Sequence, residues 1–193
     1  MPVRLAIAPI IEPVSLADMK EHLHYDATDQ NDRIEALISA ARSMVESETN
    51  RALLTQGWTM ILDAFPAGGL IRLPNPPVQS ITSIAYTDNN GDAQTVDSDN
   101  YQLDAISQPG RLAPARGLSW PSDADSETLG AVVISYQAGW TTAATVPNEL
   151  VHAIKLLTGH WFENLEGVVT EGTPKELPFA VRMLLTHWTI PTV

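Results

Sequence analysis

The chain has 193 residues, 44% of them hydrophobic and 18% charged, a length and balance that suit one sizeable buried core with extensions. It has no cysteine, which excludes disulfides, thiolate catalysis and zinc–thiolate sites and fits a reducing cytoplasm, and no apolar run approaches the roughly 20 residues of a membrane-crossing helix. Eleven Lys plus Arg against 23 Asp plus Glu give a net charge of −12, and that field opposes phosphate-rich polymers and argues against a reader of DNA sequence.

The start, "MPVRLAIAPIIEPV", lacks the cationic region, apolar core and small-residue cleavage site of an export signal and reads as an unexported arm. The first predicted helix covers 15–25, with Ser15 as N-cap, Asp18 in the first turn and Leu16, Met19 and Leu23 at helical spacing. A second is expected over 29–50. It opens on cap-type Asp29 and Asn31, aligns Ile34, Leu37, Ile38, Ala41 and Val45 on one face, turns Arg33, Glu35, Arg42, Glu46 and Glu48 to solvent, and stops at Asn50.

After Asn50 the period changes. Trp58, Met60, Leu62 and Ala64 alternate with Thr59, Ile61, Asp63 and Phe65, as in a strand buried on one face, so "MVESETNRALLTQGW" is a helix-to-strand corner. A β region over 56–140 follows. It contains a Gly68-Gly69 turn, the "LPNPPV" stretch whose prolines suit an edge or corner, an Asn90-Gly91 hairpin, a Pro/Gly-punctuated loop reaching Trp120-Pro121, and the buried strand "AVVISYQAGW". Helix returns over 147–165, begun by Pro147, with Leu150, Ile154, Leu157 and Trp161 on one face, and a last short helix carries Phe179, Met183, Leu184 and Trp188. The expected fold is α+β: a mainly helical core of two N-terminal and two C-terminal helices with an inserted antiparallel β region.

No residue set points to chemistry. His152 and His160 lie eight apart near one face of a predicted helix, where zinc motifs place two His four apart with an acidic partner; His22 and His24 lie on different faces. Surface or capping roles are the expectation, with no metal, cofactor or catalytic residue. Asp88, Asn90 and Asp92 alternate as in a calcium loop, but the glycine comes too early and Asp99 stands where the twelfth-position Glu belongs, which favours a hairpin turn. No serine has a GxSxG frame, and Gly68-Gly69 lacks the strand and helix context of a phosphate loop. Of the five Trp, four read as core. Trp188 stands apart, because a terminal amphipathic helix with an aromatic near its end can dock as well as pack.

Several elements in fixed order carry a resemblance. They are Ala40, Ala41, Arg42, Val45 and Glu46 ("AAR…VE"); Gln56 and Trp58 ("Q.W"); Leu73, Pro74, Pro77 and Val78 ("LP..PV"); Tyr136, Ala138, Gly139 and Trp140 ("Y.AGW"); and the Pro-initiated helix from Pro147 to Glu163. Together, from about Pro13 to Gly167, the chain resembles the head–tail connector (adaptor) proteins of long-tailed phages and of prophage and gene-transfer-agent relatives. The resemblance implies a single connector-like domain over 1–167, and a C-terminal helix and tail over 168–193 as docking segment, with Phe179, Arg182, Met183, Leu184 and Trp188 as the docking residues. It also implies a structural virion protein, not an enzyme, that sits in the particle neck after a cytoplasmic stage. There it forms a ring of twelve copies on the portal protein, extends the channel for double-stranded DNA without reading its sequence, and meets a stopper or tail-terminator protein, with no membrane involved. The alternatives are another neck component, a stopper or tail-completion protein, or a small metal- or ligand-binding enzyme domain using His152 and His160.

Overall fold

The structure is a computed structural model that describes residues 2–125, 127–164 and 179–191. The chain divides into two compact units, Met1–Ile10 with Thr55–Gly139, and Ile11–Leu54 with Trp140–Val193.

The first unit is all β. Strands β1 (Val3–Ile7), β2 (Gln56–Leu62), β4 (Val78–Thr87), β5 (Ala93–Thr95) and β8 (Val132–Ala138) form an antiparallel sheet in the order β1-β2-β8-β4-β5. A second sheet has the order β3-β7-β6, built from β3 (Ile71–Leu73), β6 (Tyr101–Asp104) and β7 (Gly110–Pro114). The alternation seen in the sequence sets the register: β2 and β8 pair without a break from Gln56↔Ala138 to Leu62↔Val132. Val132, Ile134, Tyr136 and Ala138 point inward, and Met60, Leu73, Ile84 and Leu112 complete a dry interior. The Tyr136 hydroxyl donates to the Pro74 carbonyl at 3.0 Å, which satisfies the one polar atom of that side chain and holds the proline corner. Burial pushes the Tyr136 phenol well above its ordinary range.

The second unit is helical. Helix α1 spans Leu16–Leu23, α2 Asn31–Thr49, α3 Asn148–Glu163 and α4 Phe179–Thr186. Ser15 caps α1 by accepting from the Asp18 amide, and Asn50 ends α2 in the left-handed region at φ 53°. Ile34, Ile38, Ala41 and Val45 of α2 meet Leu150, Ile154 and Leu157 of α3 and Val181 and Leu185 of α4 in one apolar cluster.

Three expectations are corrected. A mainly helical core does not describe the chain: the described residues hold eight strands in two antiparallel sheets beside four helices, and the sheets bury their own interior. The cause is that short strands with alternating burial leave less trace in a sequence than helical stripes do. The N-terminal arm is strand β1, paired with β2 at Val3↔Met60, Arg4↔Thr59 and Leu5↔Trp58. Arg42, read as solvent-facing, is buried. Its Nε donates to Glu12 Oε2 at 2.7 Å and its Nη1 to Glu46 Oε2 at 2.6 Å, so two carboxylates offset the cost of removing a guanidinium from water.

The predicted limit of the helix over 147–165 and the boundary between 167 and 168 lie outside the described residues. The helix-to-strand corner is held by α2 itself. Glu46 Oε1 accepts from the Leu53 amide at 2.8 Å, and the Asn50 and Arg51 amides both donate to the Glu46 carbonyl. Glu46 therefore ties Arg42 and the chain leaving the helix into one network, which gives the "AAR…VE" pattern a structural reason.

Candidate docking surfaces

Helix α4 is fastened by its inner face and its C-terminal end. Val181 and Leu185, one turn apart, are buried in the helical core, and Leu184 and Trp188 are partly buried against it. The Arg51 guanidinium donates from Nε to the Trp188 carbonyl at 2.6 Å and lies 5.5 Å from the Trp188 ring centroid, while Trp140 meets that ring edge-on. The Ile190 amide donates to Thr49 O, and Asn50 Nδ2 donates to Ile190 O at 2.7 Å. The opposite face looks outward. Phe179 is 78% exposed and Met183, one turn on, 62% exposed, with Arg182 exposed between them. Of the five residues named from the sequence, Phe179, Arg182 and Met183 thus share an outer face, and Leu184 and Trp188 face the chain's own core.

A second apolar surface was not singled out in the sequence. Strand β1 is one edge of the five-stranded sheet, and all its side chains after Val3 are exposed, among them Leu5 and Ile7. The period-2 run Val3, Leu5, Ile7 was the available signal, concealed by Ala6, Ala8 and Ile10 at the intervening positions.

The chemical candidates resolve into structural roles. His22 and His152 meet edge-on with ring centroids 6.4 Å apart. Burial, and then the charges of Lys155, His152 and His24, hold His22 below its ordinary value, so His22 stays neutral more readily than it charges. Among the described residues, no three His, Cys, Asp or Glu converge to hold a metal ion. The Asp88 carboxylate faces its own turn, accepting from Gln94 Nε2 at 2.9 Å and from the Asn90 and Asp92 amides at 2.8 and 3.1 Å. These donors, the Gln94 amide first, hold it below the ordinary aspartate range. An open cleft of about 550 Å³ lies between the Phe65–Gly69 and Pro114–Pro121 loops. Phe65 stacks on Trp120 at 5.0 Å, Trp120 Nε1 donates to Gly69 O at 2.7 Å, and Arg116 is the sole charged side chain of the lining, so the cleft offers no acid–base pair.

The described residues thus form two compact units that carry exposed apolar side chains, Leu5 and Ile7 on β1 and Phe179 and Met183 on α4. The model of the head completion protein family matches residues 12–173, and the chain belongs to that family. Three solved structures share its fold over 100% of this chain and 97% of theirs. They are the neck of an empty gene transfer agent (GTA) particle with C6 symmetry (23% identity, TM-score 0.78), the virion of a native GTA particle (22%, 0.79) and the neck of a native GTA particle with C12 symmetry (24%, 0.77). No curated protein matches the chain.

Proposed function

We infer that this chain is a structural virion protein of the particle neck, a head–tail connector that acts by assembly and without turnover. The observation that carries this reading is the family match across residues 12–173, with the fold of neck proteins supporting it along the whole chain. In this role the chain forms a ring on the portal protein, extends the DNA channel and presents a platform for a stopper or tail-terminator protein. Twelve copies is the number that the resemblance implies, and it is compatible with both the C6 and the C12 symmetry of the matched necks. Chemistry is consistent with a conduit, since a net charge of −12 disfavours lasting contacts with passing phosphates and leaves the polymer mobile.

The outer face of α4, with Phe179, Arg182 and Met183, is the surface that meets the portal, and 168–193 acts as the docking segment, with Leu184 and Trp188 fixing the helix from beneath. Two apolar side chains one turn apart with a cation between them suit a groove that has an apolar floor and an acidic rim. The test is to purify particles and identify their components after disruption into heads, necks and tails. The chain is expected in the neck fraction together with the portal. A chain that stays in the soluble lysate while complete particles form overturns the reading.

A further inference from the structure

Among the described residues, the five-stranded sheet ends in two different edges without a strand partner, β1 on one side and β5 on the other. An unpaired edge presents a row of backbone donors and acceptors, and folded proteins shield such rows or give them a partner. Neither edge is shielded by its own side chains. Leu5 is 45% exposed and Ile7 64%, Ile10 just beyond the strand is 96% exposed, and every residue of β5 is exposed.

The two edges also differ in charge. Arg4 is the one charged side chain among residues 1–10, whereas β5 is bracketed by Asp92 on one side and Asp97 and Asp99 on the other. Their directions are fixed by topology. Each neighbour in the order β1-β2-β8-β4-β5 is antiparallel to the next, so the first and fifth strands run the same way. The small rotation that relates neighbours in a many-membered ring preserves that direction.

We propose that β1 of one copy pairs in parallel with β5 of the next copy, so that the sheet continues from subunit to subunit. The proposal rests on the ring reading above. A closed ring of more than two members needs two different, complementary patches on each copy, and these edges meet that requirement in shape and in charge. Pairing β1 with β1 would face two Arg4 side chains and leave the acidic edge bare. A three-residue strand supplies few ladder bonds, so the contact between two free copies is weak and accumulates once copies are held side by side on a platform.

The absence of cysteine gives a direct test. Within one chain β1 and β5 are four strand spacings apart, roughly 19 Å at about 4.8 Å each, beyond the ~7 Å that a disulfide spans. Thr95→Cys is combined in turn with Arg4→Cys, Leu5→Cys, Ala6→Cys and Ile7→Cys, which samples both faces and several registers. Particles carrying each double variant are oxidised and resolved on a non-reducing gel, beside single variants and particles with the unsubstituted chain. The expected result is a ladder of covalent multimers in at least one double variant and in none of the single ones. Monomer bands alone from double variants incorporated in particles overturn the edge pairing, as does a dimer formed by Leu5→Cys or Ile7→Cys alone. Absence of the unsubstituted chain from particles overturns the neck reading instead, so the two failures are distinguishable.

Discussion

The tightest constraint on a single residue lies between the two sheets of the β unit. A Cβ added to Gly110 would sit 2.7 Å from Val78 Cγ2 and 3.2 Å from Val78 Cβ, and Val78 is β-branched and buried, so it can yield little. Gly110→Ala is expected to cost about 1–3 kcal/mol in denaturant unfolding. Combined with Val78→Ala, the double variant should lose less than the sum of the two single losses, and strict additivity would contradict the contact. Arg42 makes the second case. Arg42→Leu strands Glu46 and Glu12 at the corner and should cost about 3 kcal/mol, the range for breaking one side of a buried ion pair. The sequence concealed this residue because Glu12 lies 30 positions away, and helical periodicity carries no information about a partner outside the helix.

Among elements, the β4–β5 hairpin depends on Asp88. Gly91 adopts φ 86°, which suits the glycine of the Asn90-Gly91 pair, and the Asp88 carboxylate collects three donors around the turn. Because its folded-state value lies below the ordinary 3.8, Asp88 adds stability that is fully present above that value and is lost as pH falls through it toward the depressed folded value. Protection of the Asp92 and Gln94 amides, taken relative to the unstructured-chain rate at each pH, should therefore fall below pH 3.8 in the native chain, while Asp88→Ala is less protected already at neutral pH and loses the acid step. This turn was legible from Asn90-Gly91, as were the stripe of α2, the alternation of β2 and the apolar density of β8, since each signal is local. The β3-β7-β6 sheet was not. Its strands are three to five residues long, and β3 pairs across a long stretch of sequence, Ile71 with Leu112, so no short window contains the pattern. In α4 the amphipathic stripe was legible, but burial separates the two faces: Phe179 and Met183 point outward and Trp188 anchors inward. Phe179→Ser with Met183→Ser should leave unfolding within about 0.5 kcal/mol, as expected for exposed sites, yet reduce attachment to heads at least tenfold in a reconstitution assay.

For the whole molecule, the helical unit and the two-sheet unit each carry an apolar interior, and exposed apolar side chains stand on β1 and on the outer face of α4. Density for the neck of purified particles, at a resolution that traces strands, decides whether this chain forms a layer of the neck. The expected result is a ring of copies, each with the β1-β2-β8-β4-β5 sheet and the four-helix unit, seated on the portal with the outer face of α4 against it. A complete neck whose every layer is traced to other chains would contradict it.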